Sequence, residues 1–86
     1  MELIGRIDST NAGEWENRIK NNLPESGDYE LDCTQLSYIS SAGIRILISV
    51  YKVLKGRNSE LIMKDVSPAV KEVLDLTGVA DFLKFI

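Results

Sequence analysis

The 86-residue chain contains no histidine and one cysteine. Without histidine, a Ser-His-Asp arrangement for nucleophilic catalysis is impossible. One thiol, Cys33, forms no internal disulfide and suggests no cysteine metal site. It falls in an apolar strand pattern and reads as a small core residue, with a redox role the minor alternative. There is no Gly-x-x-x-x-Gly-Lys loop for a nucleotide. No run of basic residues marks a membrane surface, and 10 Lys+Arg against 13 Asp+Glu leave a net charge of −3. Nucleic-acid binding is driven by concentrated lysine and arginine, so that balance argues against it. No basic segment followed by an apolar one opens the chain, and no apolar run approaches the length of a membrane span. Neither a metal, a cofactor nor a membrane is expected, and the expected location is the cytoplasm.

What is present is the composition of one small globular domain, with 44% hydrophobic and 27% charged residues. Two cores would not fit in this length. Strand-like and helix-like segments alternate, which predicts an α/β fold. Leu3 to Ile7 reads as a strand. A cluster of capping residues follows, with Asn11 and Glu14 spaced as a capping box. Ala12, Trp15, Ile19 and Leu23 then form one stripe of a helix over 12–23. Tyr29, Leu31 and Cys33 alternate with acids as a second strand, and Leu36 to Ile39 leads into two serines. The second helix is predicted from about Ala42 to Lys55, closed by Gly56 as C-cap. Its polar positions, Arg45, Ser49, Lys52 and Lys55, form one narrow stripe on an otherwise apolar helix. Such a helix is central to the core or offers part of its surface to a partner. Leu61 to Met63 is a third strand, and Ser67-Pro68 starts a third helix closed by Gly78. The apolar tail 81–86 must dock, because an unpaired one invites aggregation. The expected architecture is a small, largely parallel sheet with right-handed crossovers and helices mainly on one face.

The chemistry concentrates in Tyr38-Ile39-Ser40-Ser41-Ala42-Gly43-Ile44-Arg45. Two hydroxyls and two small residues lie where a helix begins, and a helix N-terminus tolerates phosphate through its free N–H groups and partial positive charge. With Ser40 as cap, Ser41 is the first helical residue and points outward. Plain helix capping explains serine there as well, and from spacing alone it is the commoner reason. A phosphoaspartate receiver built on Asp32 and Asp8 needs a longer chain and an acidic metal pocket.

This sequence resembles the STAS domain family, named for sulphate transporters and anti-sigma factor antagonists. Gly5-Arg6-Ile7-Asp8 resembles its first recognisable strand, Leu31-Asp32 the strand before its switch loop, and Thr77-Gly78 the end of its third helix. Residues 38–45 match the switch loop and the start of the main helix. The resemblance runs through nearly all of 1–86 and implies a single STAS domain. The usual extra N-terminal strand is missing from it. It implies no enzyme activity of the domain's own. The implied role is partner switching in transcription regulation: the unmodified domain binds an anti-sigma factor that is also a serine kinase, and frees the sigma factor. Phosphorylation then releases the partner, and a serine phosphatase resets the domain. The modified residue would be Ser41, with Ser40, where the family often has aspartate, as rival. Asp8, Asp32, Ser40, Ala42, Gly43 and Arg45 would shape the partner-facing surface, with both acids near the start of the second helix. The alternative within the family is a STAS scaffold module with no phosphorylation switch.

Overall fold

Strands that run parallel cannot be joined by tight turns, so each connection here needs a crossover, and helices supply them. The computed structural model describes all 86 residues as β1 (Glu2–Ile7), α1 (Ala12–Asn21), β2 (Tyr29–Ile39), α2 (Ser41–Gly56), β3 (Leu61–Lys64), α3 (Pro68–Leu76), a 3₁₀ turn (Val79–Phe82) and β4 (Lys84–Phe85). The four strands form one parallel sheet in the order β1-β2-β3-β4. The α/β class, the parallel sheet and the helix order agree with the sequence reading. The apolar tail docks as β4 beside β3, where the Ile86 N–H donates to the Met63 carbonyl at 3.1 Å.

β2 is longer than the alternation in its sequence suggested. Its buried residues are Tyr29, Leu31, Cys33, Leu36 and Ile39, so the period of two breaks after Cys33 and again after Leu36. The register explains both breaks. Glu2 pairs with Asp32 and Ile4 with Gln35; Gly5 pairs with Leu36 and Arg6 with Tyr38. At each step β2 advances one residue further than β1. A bulge at each point returns the next apolar side chain to the core face. Gly5 lies between the two irregularities with φ +77°, a backbone state that glycine adopts without a Cβ penalty. The Ser37 hydroxyl donates to its carbonyl at 3.0 Å.

One cluster of 19 buried residues makes the core. The sheet contributes Leu3, Ile7, Leu31, Leu36, Ile39, Leu61 and Met63; α2 contributes Ile44, Ile46, Leu47, Val50 and Leu54. Burying each large aliphatic side chain stabilises the fold by about 1.5–3 kcal/mol, so α2 is the helix on which the core depends most. Tyr29 and Cys33 of β2, Trp15 and Ile19 of α1, Val70 and Leu74 of α3, and Val79 of the 3₁₀ turn complete it. The opposite faces of β1 and β2 carry Glu2, Ile4, Arg6, Glu30, Gln35 and Tyr38, all exposed. Cys33 is fully buried, and burial first, then the charges of Asp32 and Asp65, push its thiol up to about 12. It is a core residue.

Three helix ends differ from expectation. The Asn11 side chain does not cap α1. Its Oδ1 accepts from the Asp8 N–H at 2.9 Å and its Nδ2 donates to the Arg6 carbonyl at 2.7 Å, so it ties the loop to β1. Gly56 is still helical, and Asn58, with φ 57°, makes the left-handed turn that was expected of the glycine. α1 stops at Asn21 rather than at residue 23. The third helix starts as expected: the Ser67 hydroxyl accepts from the Val70 N–H at 3.3 Å, with Pro68 at the first turn.

Candidate functional site

The C-terminal ends of β1 and β2 lie side by side, Ile7 against Ile39. One residue further, the Ser40 N–H donates to the Ile7 carbonyl at 2.9 Å. That bond fixes where the chain leaves the sheet and turns into α2. Ser40 is the N-cap residue, extended at φ −93° and ψ 178°, and its carbonyl accepts the first helical bond from the Ile44 N–H at 2.9 Å. Ser41 is the first helical residue and is exposed.

The two serines differ in kind. The Ser40 hydroxyl makes no capping bond, is buried and has no partner. The expectation that it caps α2 is therefore wrong for its side chain. As a rival phosphorylation site it is also disfavoured, since its oxygen is closed to a kinase. A buried hydroxyl without a partner costs about 1–3 kcal/mol. Ser40→Ala should hold or raise the denaturation midpoint rather than lower it, and a urea titration of the two proteins checks this.

Gly43, expected to help shape the partner-facing surface, is buried on the underside of α2. A Cβ there would stand 2.5 Å from Ile39 Cγ1 and 3.0 Å from Ile7 Cγ2. The glycine lets α2 settle onto the strand ends from which Ser41 projects. Ala42 is half-buried, and Arg45, one turn after Ser41, is exposed.

Asp8 lies beside this junction, directly after Ile7. Its carboxylate accepts from the Thr10 hydroxyl at 2.5 Å and the Thr10 N–H at 3.0 Å, which together hold its pKa below the usual carboxylate range, with a smaller effect from Arg6. Asp32 is elsewhere. It pairs with Glu2 at the start of β1 and with Lys64 at the end of β3, seven residues before Ile39, or about 20 Å along β2. The expected convergence of both acids on the start of α2 is corrected: only Asp8 is there. Asp32 accepts from the Thr34 hydroxyl at 2.6 Å and the Thr34 N–H at 3.0 Å, and these bonds lower its pKa in the same way. It pins the first bulge of β2.

Both acids thus sit in Asp-x-Thr turns. A carboxylate held below its ordinary value in the folded chain adds stability above its unfolded pKa, and loses it as pH falls through the folded one. Stability should stay level from neutrality to about pH 5 and decline below about pH 4. Thr10→Val with Thr34→Val should flatten that acid limb, as read by denaturation at a series of pH values.

The register also brings together two residues that sequence reading left out of the site. Arg6 pairs with Tyr38, and its guanidinium lies 4.2 Å from the Tyr38 ring centroid, while its Nε is 4.0 Å from the Asp8 carboxylate. Spacing offered no signal for this, because the two residues meet only through the bulged pairing. Exposed Arg6 and Tyr38 and half-buried Asp8 thus lie at the strand ends from which Ser41 projects, with Arg45 exposed one turn further along α2. No group of histidine, cysteine, aspartate or glutamate side chains is placed to hold a metal ion, and no helix is long and apolar enough to cross a membrane.

The chain is a parallel α/β domain that presents one exposed serine at the start of the helix leaving the end of β2. The chain belongs to the STAS domain family, whose model matches residues 1–86. It is 35% identical over 78 residues to BtrV of Bordetella bronchiseptica, a candidate anti-sigma factor antagonist, covering 88% of this chain and 66% of that protein. It is 26% identical over 83 residues to the anti-sigma-B factor antagonist of Listeria monocytogenes, covering 95% of this chain and 73% of that one. The chain thus spans just under two thirds of BtrV. Among solved structures it superposes with a TM-score of 0.84 on a candidate anti-sigma factor antagonist from Thermotoga maritima. That match covers 98% of this chain and 75% of the other at 16% identity, a likeness of fold.

Proposed function

We propose that this chain is an anti-sigma factor antagonist switched by phosphorylation of Ser41. In its unmodified form it binds an anti-sigma factor with serine kinase activity in the cytoplasm and so frees a sigma factor. Phosphate on Ser41 dissociates the pair, and a serine phosphatase restores binding. The names of its relatives support the anti-sigma factor as partner. One observation carries the choice of residue: the Ser41 hydroxyl is exposed on the first turn of α2, and the Ser40 hydroxyl beside it is buried. Phosphate at a helix start meets free N–H groups and a favourable dipole, so the domain stays folded when modified. Arg6, Tyr38, Asp8, Ala42 and Arg45 form the surface around the serine that a partner covers. Asp32 and Gly43 act on the scaffold that positions it.

Incubation with a serine kinase of the anti-sigma factor class and ATP, followed by peptide mapping, tests the assignment. Wild type and Ser40→Ala should each take one phosphate, and Ser41→Ala none. Phosphate on Ser40 would reject the assignment. Absence of phosphate on the wild type would favour a STAS scaffold that holds a complex together without a switch.

A further inference from the structure

α2 carries three cations, Arg45, Lys52 and Lys55, and no acid, in a chain whose net charge is −3. All three are exposed, and none belongs to the ion pairs of the molecule, which are Arg6–Asp8, Glu16–Lys20, Lys71–Asp75 and Glu60–Lys84. Their spacing with Ser41 and Ile48 follows the helical period, so the exposed stripe of α2 reads Ser41, Arg45, Ile48, Lys52, Lys55. Sequence patterning had assigned Ser49 to this stripe; Ser49 is half-buried and Ile48 takes the exposed place, 37% accessible.

Ile48 opens onto a cleft of about 200 Å³ between α2 and the 3₁₀ turn, lined by Ile48, Tyr51, Lys52, Thr77, Val79 and Phe82. Phe82 is 60% accessible, and its ring leans on that of Tyr51 with centroids 5.6 Å apart. Contiguous exposed apolar surface rimmed by charge marks an interaction site. The cleft is below the range of small-molecule pockets and suits one or two side chains of a docked peptide. A second copy of this chain fits poorly, because a two-fold contact would set the basic stripe against itself. Of the acids nearby, Asp75 is held by Lys71 at 2.7 Å and Glu60 by Lys84 at 2.9 Å, while Asp81 shares the neighbouring cleft with Lys55 without forming an ion pair with it.

We propose that this cleft and the basic C-terminal half of α2 dock an acidic amphipathic helix of a partner protein, at a surface distinct from the serine junction. Apolar side chains of that helix enter between Ile48 and Phe82, and its carboxylates meet Lys52 and Lys55, the helix-in-groove mode of recognition. Ile48 lies seven residues beyond Ser41, about 10 Å along the helix axis. Laid across α2 at Ile48, a helix of about 10 Å width reaches the cleft and leaves Ser41 open.

The probe is a lactam-stabilised 16-residue peptide with leucine at i, i+3, i+4 and i+7 and glutamate elsewhere, against a twin with lysine in place of every glutamate. Peptide anisotropy gives affinity, and amide shifts of the labelled domain give location. The acidic peptide should bind with shifts at Ile48, Tyr51, Val79 and Phe82, and the basic one should not bind. Ile48→Asp or Phe82→Ser should weaken binding about tenfold or more. Lys52→Glu with Lys55→Glu should weaken it about tenfold and remove most of its salt dependence. The peptide is titrated into the unmodified domain with no kinase or anti-sigma factor present, which keeps this result separate from the fate of the switch. Absence of binding at about 1 mM peptide, a millimolar Kd being weaker than any specific docking, would overturn the proposal. So would equal binding of the basic twin, or indifference to Ile48→Asp. Self-association in sedimentation that Ile48→Asp abolishes would assign the cleft to a second copy and overturn it as well.

Discussion

Phosphate on Ser41 should weaken binding of the anti-sigma factor partner by about thirtyfold to several thousandfold while the fold survives. The modification adds about −1.5 to −2 charges to a hydroxyl that stands exposed at the start of α2. The helix dipole returns about 0.3–1 kcal/mol of that within the domain. Arg45, one turn along the same stripe, is free of ion pairs and offers a second local compensation. Asp8 works the other way, since its carboxylate is ionised beside the junction at neutral pH, as any ordinary aspartate is. A partner surface shaped around a neutral hydroxyl has no such compensation. An unpaired charge within an interface costs about 2–5 kcal/mol, which sets the loss in affinity. Titration calorimetry against the isolated kinase reads it directly. Ser41→Ala should bind like wild type. Ser41→Asp should fall between, because it carries one charge and fewer acceptor oxygens. Phosphoprotein that binds as tightly as unmodified protein would remove the switch and leave the scaffold reading.

The serine junction was legible because its logic is local. A strand ends, a helix begins, and small and hydroxyl residues occupy the boundary. The same holds for Ser67-Pro68, where cap and first-turn proline are adjacent in sequence and bonded as expected. The misreadings share a different cause. Asp32 reads from the sequence as a neighbour of Asp8 because one acid follows and the other occupies a strand of the same sheet. Its real distance from the junction depends on the length of β2, and two bulges disguised that length by shifting the phase of burial. Asn11 and Glu14 have the spacing of a capping box, yet the Arg6 carbonyl of β1 and the Asp8 N–H compete for the same amide and win. Gly56 sits two residues before the left-handed turn that Asn58 makes. Nothing in the sequence could pair Arg6 with Tyr38, because the contact arises from the register between strands. Ile48 was counted among the apolar majority of α2, and its exposure becomes visible only when the 3₁₀ turn leaves one side of the helix uncovered.

Gly43→Val should cost about 2–3 kcal/mol of stability, by the magnitude of core overpacking. The new Cβ alone would stand 2.5 Å from Ile39 Cγ1, and neither partner is free to yield: Ile39 and Ile7 are 1% and 2% accessible within the core. Valine gains only a few tenths of a kcal/mol over glycine in helix propensity, too little to offset the clash. For a domain of this size the loss corresponds to a fall in Tm of about 10–20 °C. Gly43→Ala separates stability from positioning. Alanine recovers about 1 kcal/mol of helix propensity, so its net cost should be smaller, yet its Cβ still pushes the first turn of α2 away from the strand ends. Partner binding and Ser41 phosphorylation should therefore drop more than the melting curve does. Ile39→Ala removes the atoms that meet the new Cβ. In the double variant with Gly43→Val, the loss should be less than the sum of the single losses by about 0.5–3 kcal/mol, the range for residues in contact. Strict additivity in that cycle would mean that the seat of α2 on Ile39 is not what requires glycine at position 43.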